Sequence, residues 1–363
     1  MTTALLAGGG TAGHVNPLLA LADHWSATDP EVSLIVLGTA EGLESRLVPA
    51  RGYELVTIAR VPFPRRVGAA ALRFPGRFRG AVRRTRQILR EREVDVVVGF
   101  GGYASAPAYW AARREKLPFV VHEANTRPGI ANRLGRALGG AVGVTFSATP
   151  LRGARVVGMP LRREIVELDR GGRRAQAAAH FGLRADQPTL LVTGGSTGAR
   201  RVNETIARST SSILAAGWQV LHITGEGRGD GAEAQPGLTV QTYCDRMDLA
   251  YAIADLAVCR SGSATVSELA AVALPAVLVP YAVGNGEQAL NARDLVDAGA
   301  AIVVRDADFT PEWVANELVP LLRRRERLAF MAASADGARH RDGAEELLQL
   351  VRETLGSRGR RVG

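Results

Sequence analysis

Twice in this chain a short apolar run ends in a cluster of glycines and gives way to a helical pattern. Near the start, Ala4-Leu-Leu-Ala7 meets Gly8-Gly-Gly-Thr-Ala-Gly13, and Leu18, Leu19, Leu21 and Ala22 follow at helical spacing. Much later, Leu190-Leu-Val-Thr193 meets Gly194-Gly-Ser-Thr-Gly198, again before a helical pattern. Each reads as strand, glycine turn, helix. Further apolar runs alternate with helices in both halves: Val32–Leu37, Val94–Val98, Phe119–Val121, Val220–Ile223, Leu256–Cys259 and Ala276–Pro280. Such alternation implies parallel sheets joined by crossover helices. The expected fold is therefore α/β: two Rossmann-like, doubly wound parallel-sheet domains facing a cleft. A length of 363 residues suits two domains. Gly and Pro interrupt the pattern at Val157-Gly-Met-Pro160, which places the domains at 1–159 and 160–339. A last amphipathic helix, about Ala344 to Leu355 within 340–356, carries Leu347, Leu348, Val351 and Leu355 on one side and is expected to pack back onto the first domain. The Arg/Gly-rich tail 357–363 is expected to be disordered.

Several functional classes are excluded early. The two cysteines, Cys244 and Cys259, form no disulfide framework or CxxC pair, which fits a reducing compartment. The first apolar run lacks the basic leader and cleavage pattern of a secretory signal. No apolar run approaches the roughly 18 residues of a spanning helix, so membrane contact is expected to be peripheral. The net charge is +9, and it is confined to one place. Between Val61 and Arg92 stand ten arginines and one acid, Glu91, while the rest of the chain holds 35 basic and 35 acidic residues. The protein is therefore not generally basic in the manner of a nucleic-acid coat, and no nucleic-acid partner is expected.

A glycine loop after a strand lets the backbone approach an anion, and the next helix offers free N–H groups and the positive end of its dipole. Both loops suit phosphate groups. The spacing Gly8-x-Gly10-x-x-Gly13 matches a dinucleotide fingerprint, but the second strand ends Val36-Leu37-Gly38-Thr39 with no carboxylate for a ribose, which disfavours hydride transfer. There is no GxxxxGK[ST] loop. Arg260-Ser-Gly-Ser-Ala-Thr-Val-Ser-Glu268 follows a strand and opens a helix. Ser263, Ala264 and Thr265 would put backbone N–H groups where a diphosphate can sit, and Glu268, one turn in, could accept both hydroxyls of a ribose. The competing reading is serine capping with Glu268 complementing the dipole. Downstream, Gln288 and Asn291 are three apart on a new helix, so both amides could reach one sugar.

These blocks, in this order, resemble the MurG family of bacterial glycosyltransferases, which convert lipid I to lipid II in peptidoglycan synthesis. The matching stretches are Gly8–Pro17, Gly99–Tyr103, His122–Asn125, Gly158–Arg162, Gly194–Ala199 and Arg260–Glu268, completed by Gln288 and Asn291. The resemblance spans most of the chain and implies the GT-B fold. It implies inverting transfer from UDP-N-acetylglucosamine, a substrate rather than a cofactor, onto a lipid-linked acceptor. Carried across, Ser196 and Ser263–Thr265 would bind the diphosphate, with Val266 and Ser267 in the same stretch, Glu268 the ribose, the backbone at Cys244 the uracil, and Gln288 and Asn291 the sugar. Thr11, Ala12, Gly13, Asn125 and Arg162 would complete the donor site. Gly10, Gly101, Gly102 and Tyr103 would face the acceptor's pyrophosphate. Thr197 and Glu287 stand where the family commonly has Gln, and Ala12 where it has Gly, which bears on donor affinity.

The reaction needs a deprotonated acceptor hydroxyl, a stabilised leaving diphosphate and alignment. Helix N-termini plus Arg260 or Arg162 could stabilise the leaving group without a metal. The sole Asp-x-Asp, Asp306-Ala-Asp308, reads as a solvated loop. His14 is the leading candidate for the base, and Glu123 competes. The basic segment interleaves Leu72, Phe74, Phe78 and Val82 with Arg73, Arg77, Arg79 and Arg83, so apolar side chains are expected to enter a membrane interface while arginines meet anionic headgroups. The implied place is the cytoplasmic face of the cell membrane, beside other cell-wall synthesis proteins. The rival readings are another UDP-sugar enzyme of the same fold, an epimerase or a natural-product or lipid glycosyltransferase, and a basic adaptor that binds no UDP.

Overall fold

The computed structural model describes residues 1–64, 68–195, 198–225, 235–281, 286–337 and 342–359. The chain divides into two compact units, Met1–Arg163 with Arg341–Gly363, and Glu164–His340.

The first unit is built on strands β1 (Thr3–Ala7), β2 (Ser33–Gly38), β3 (Glu54–Thr57), β4 (Val96–Gly99), β5 (Phe119–Glu123), β6 (Ala141–Val144) and β7 (Arg155–Val156). Between them run helices α1 (Ala12–Thr28), α2 (Glu44–Ala50), α3 (Ala69–Glu91), α4 (Gly102–Arg114) and α5 (Ile130–Ala137). The strands lie parallel in the order β3-β2-β1-β4-β5-β6-β7. Successive side chains of a strand point to opposite faces. Leu5, Val97 and Val121 accordingly join one core with Tyr109 of α4. Leu6, Val98 and Val120 join the other, with Trp25 of α1 and with Leu347, Leu348 and Val351 of the final helix, Gly343–Gly359. That helix continues past the point where the tail was expected to begin; residues 360–363 lie outside the described residues.

The second unit repeats the plan with β8 (Thr189–Thr193), β9 (Gln219–Ile223), β10 (Leu238–Gln241), β11 (Leu256–Cys259), β12 (Ala276–Leu278) and β13 (Ala301–Val303). Its parallel order is β10-β9-β8-β11-β12-β13. In both sheets the winding reverses beside the strand that feeds the glycine loop, between β1 and β4 and between β8 and β11. Adjacent loops there diverge to opposite sheet faces and leave a crevice at the strands' carboxyl ends, which is where ligands of such sheets bind. Among the described residues, no helix is long and apolar enough to cross a membrane.

Candidate functional site

At the first switch point two glycine loops meet back to back. Gly10 (φ +90°), Gly101 (φ +94°) and Gly102 (φ +80°) occupy backbone conformations that only glycine adopts readily. A Cβ on Gly102 would lie 2.3 Å from the Gly9 carbonyl oxygen, so the loops approach each other at backbone distance. His14 sits in the first turn of α1. Its Nδ1 is 3.2 Å from the Gly9 carbonyl oxygen and 3.2 Å from Thr11 Oγ1. A carbonyl only accepts, so this contact assigns the proton to Nδ1 and leaves the lone pair on Nε2. A Cβ on Gly101 would come within 3.0 Å of that Nε2, so the missing side chain keeps the nitrogen uncovered. Burial holds the His14 pKa below the ordinary imidazole value, while the charge of Glu123, the Gly9 carbonyl and the charge of Glu44 act in the opposite direction. The result is a neutral imidazole near pH 7 with its acceptor nitrogen presented, as a general base requires.

The loop does not offer all its amides to a ligand. Gly10 N–H donates to Glu44 Oε2 at 2.8 Å, so this predicted acceptor contact is already engaged within the protein. Thr11, Ala12 and Gly13 form the uncapped start of α1, since the N-cap Thr11 makes no side-chain cap bond. Tyr103, in the first turn of α4, packs its ring against the position of Gly10 and carries the Arg60 guanidinium 4.5 Å from its centroid, with Arg60 Nη2 donating to the Tyr103 hydroxyl at 3.1 Å. Arg60 and Glu44 were not found by sequence reasoning. For Glu44 the available signal is the pair of glycines, Gly38 and Gly42, just ahead of it, each of which lacks a side chain where its carboxylate lies.

Glu123 has a different setting from His14. It is buried at the end of β5, where Oε1 accepts from Asn125 N–H at 2.9 Å and Oε2 from Gly129 N–H and Asn132 Nδ2, both at 2.9 Å. Asn132 also donates to the His122 carbonyl and accepts from the Tyr109 hydroxyl. Both Glu123 oxygens are thus engaged in ordering the Asn125–Gly129 loop and its neighbour Asn132, which makes Glu123 a support for this site. His122 is wholly buried, Nε2 bonded to the Gly158 carbonyl at 3.0 Å, and burial pushes its pKa down to about 4. Asn125 and Arg162 are half-buried in the same unit.

In the second unit, Gly195 (φ +81°) and Gly198 (φ +67°) shape the loop after β8, and a Cβ on Gly194 would strike Ala199 N at 2.2 Å. Ser196 and Thr197 lie outside the described residues. The helix Ser263–Ala271 begins after Gly262, and no side chain caps it. The serine-capping alternative is therefore not what the chain adopts, and the first-turn amides at Ser263, Ala264 and Thr265 precede the first intrahelical bond, from Val266 N–H to the Gly262 carbonyl. Val266 is buried and Ser267 half-buried. Glu268 Oε2 accepts from the buried Tyr251 hydroxyl at 2.7 Å, which fixes the carboxylate's direction. Cys244 is buried at the loop after β10.

Three expectations change here. Gln288 is half-buried, its Oε1 accepting from Tyr281 N–H at 2.9 Å, but Asn291 is fully buried and directed at the Ser261 carbonyl, so the two amides do not present one shared face. Asp306 is not in a solvated loop: it accepts from Arg260 Nη1 at 2.5 Å and from Arg201 Nε at 3.1 Å, in a single turn of 3-10 helix. Arg260, also bonded to the Val279 carbonyl, is largely committed to locking β11 to its neighbours. Among the described residues no group of three or more His, Cys, Asp or Glu is arranged to hold a metal.

Residues 65–67 of the basic segment lie outside the described residues, and within it Ala69–Glu91 forms α3. Its expected apolar face is corrected: Phe74 and Phe78 pack against the core of the first unit, within a ring series running Phe63, Phe74, Phe78 and Trp110, and Val82 is buried. The residue before Phe74 on the apolar stripe, Leu72, stands 85% exposed, and Arg73, Arg77, Arg79 and Arg83 are exposed beside it. An amphipathic stripe serves an internal core as readily as a bilayer, and here most of it meets the core.

The glycosyltransferase family 28 N-terminal domain matches residues 4–138, and the family's C-terminal domain matches residues 189–347. A protein of Leifsonia xyli subsp. xyli is 57% identical, over 98% of this chain and 99% of its own length, and one of Clavibacter sepedonicus is 58% identical, over 99% and 98%. Both are named UDP-N-acetylglucosamine--N-acetylmuramyl-(pentapeptide) pyrophosphoryl-undecaprenol N-acetylglucosamine transferase. The crystal structure of Acinetobacter baumannii MurG is similar at a TM-score of 0.78 and 28% identity, covering 97% of this chain and 100% of that one.

Proposed function

The chain belongs to glycosyltransferase family 28, and from that premise we propose how its residues divide the transfer of N-acetylglucosamine from UDP-N-acetylglucosamine to N-acetylmuramyl-(pentapeptide) pyrophosphoryl-undecaprenol, the reaction named for its relatives. The nucleotide sugar is a substrate, and the protein supplies binding, alignment and proton transfer. In the second unit, the uncapped start of the helix Ser263–Ala271 receives the diphosphate and stabilises the charge that develops as UDP departs. Glu268 receives the ribose hydroxyls, the backbone at Cys244 the uracil, and Gln288 the sugar. In the first unit, the amides of Ala12 and Gly13 with Tyr103 and Arg60 meet the pyrophosphate of the acceptor.

His14 Nε2 takes the proton from the acceptor hydroxyl. That oxygen attacks the anomeric carbon from the side opposite the departing diphosphate, so a single displacement inverts the centre. The observation that carries this assignment is the Gly9 carbonyl on Nδ1, which sets the tautomer with the lone pair on Nε2. Because the acceptor's lipid stays in a bilayer, the enzyme works at the membrane surface from the cytoplasmic face, approached through the exposed arginines of α3 and Leu72.

The test is transfer of radiolabelled N-acetylglucosamine from UDP-N-acetylglucosamine to a soluble lipid I analogue. Labelled product is expected with the native chain, and its absence would overturn the substrate assignment. His14→Ala should lower kcat by about 10²–10⁴-fold with donor binding intact; a near-normal kcat with weakened acceptor binding would make His14 a phosphate contact instead.

A further inference from the structure

The loop that carries His14 is organised by a carboxylate from another element. Glu44, the first residue of α2, is fully buried. Its Oε1 accepts from Thr39 N–H at 2.9 Å and from the Thr39 hydroxyl at 2.8 Å, and its Oε2 accepts from Gly10 N–H at 2.8 Å. Both oxygens act only as acceptors, the pattern of an ionised carboxylate, and all three donors are uncharged. Burying a charge on neutral donors costs several kcal/mol unless the hydrogen bonds are well made, so a fold that keeps one has built for it. The surroundings are built for it: a Cβ on Gly9, Gly38 or Gly42 would fall 2.3, 2.5 or 2.0 Å from atoms of the Glu44 side chain. Three glycines, on the loop after β1, at the end of β2 and on the loop before α2, are therefore bare at the place this one carboxylate fills.

Its position bears on the base. Gly9, whose carbonyl holds His14 Nδ1, directly precedes the amide that Glu44 clamps. The charged groups that face His14 are Glu123 from β5 and Glu44 from α2, and Glu44 also faces Arg60 on the segment after β3. We propose that Glu44 is a positioning residue for the transfer step: it holds the Gly8–Gly13 loop so that the Gly9 carbonyl orients His14, and its charge steadies the imidazolium formed when Nε2 takes the acceptor's proton. In that step the acceptor O–H bond breaks and an N–H bond forms at Nε2. The oxygen's electron pair makes the bond to the anomeric carbon, and the bond to the diphosphate leaves with its pair on UDP. The proposal rests on the reading of His14 as the base.

Glu44→Gln keeps the size and removes the charge, and Thr39→Val removes one donor and keeps the charge. Each is assayed for kcat against pH with both substrates saturating, for the KM of UDP-N-acetylglucosamine, and for UDP binding by calorimetry. Glu44→Gln is expected to lower kcat by about ten- to a hundredfold, as misplacement of a catalytic group does, with donor KM and UDP binding near native. The acid limb of its kcat profile should move to lower pH, because a negative charge favouring imidazolium is gone. Thr39→Val should lower kcat less and leave the acid limb in place. A folded Glu44→Gln enzyme with native kcat, or with lower kcat and an unmoved acid limb, overturns the proposal. If Glu44→Gln does not fold, Thr39→Val decides, and a native kcat there overturns it. His14→Ala run alongside separates the two ideas: if it keeps native kcat the base assignment itself has failed, whereas a dead His14→Ala beside an unaltered Glu44→Gln rejects Glu44 alone.

Discussion

At the scale of single residues, the same chemical type serves opposite ends according to its partners. Glu123 and Glu44 are buried and fully engaged by donors of their own unit, whereas Glu268 is half-buried and held on one oxygen by Tyr251. Glu268 is thus a carboxylate whose direction is set by a neighbour in its own unit, as the proposed recognition of a ribose needs. Glu268→Ala should weaken UDP binding by roughly 1.5–3 kcal/mol, the worth of hydrogen bonds to a charged group, while the thermal transition persists. Calorimetry of UDP binding reads this, and an unchanged dissociation constant removes Glu268 from the ribose. Tyr251→Phe should show a smaller loss, because the carboxylate remains and only its direction is freed.

At the scale of elements, the decisive question is which face of a helix is already spoken for. α3 carries seven of the ten arginines between Val61 and Arg92, but its phenylalanines belong to the core, so the proposed membrane contact rests on its exposed arginines and Leu72. Arginines near an anionic surface contribute about 1 kcal/mol each, and the attraction is screened by salt. Replacing Arg73, Arg77, Arg79 and Arg83 by Glu should therefore abolish sedimentation with anionic vesicles at low salt, whereas Leu72→Ser should weaken it only modestly. UDP binding should be unaffected in both. If the fourfold variant sediments as the native chain does, α3 is not the contact surface.

At the scale of the whole molecule, the two units repeat one plan down to a buried histidine on an inner strand. His122 of β5 and His222 of β9 are both held near pKa 4 by burial. In an unfolded chain each would titrate near 6.5. Between these values the unfolded state binds the proton and the folded state does not, so stability is full above about pH 6.5 and declines as the pH falls towards 4. The loss is at most about 3 kcal/mol for each histidine. Melting curves between pH 7.5 and 4.5 should show this fall, and His122→Phe should reduce the part belonging to the first unit. The Phe variant starts from a lower plateau, since it gives up the bond to the Gly158 carbonyl. A slope that the variant leaves untouched would assign the acid sensitivity elsewhere.

Local pattern carried a good deal of this. The inner strands β1, β2, β4, β5, β8, β9, β11 and β12 were legible because each is built around an apolar run, and both glycine loops because a turn that tight has few other spellings. The family motifs extended that to a chemistry. The edge strands β3, β7, β10 and β13, and β6 beside β7, were not legible, being short and for the most part not fully buried. What tertiary structure alone decided are the pairings made across crossovers: Glu44 on Gly10, Asn132 on Glu123, Asp306 on Arg260. A periodic pattern states which way a residue faces on its own element and says nothing of which element the topology brings opposite. For the same reason the stripe Leu72–Phe74–Phe78–Val82 could not tell a protein core from a bilayer, since both take apolar side chains out of water, and only packing against Trp110 and its neighbours settled it.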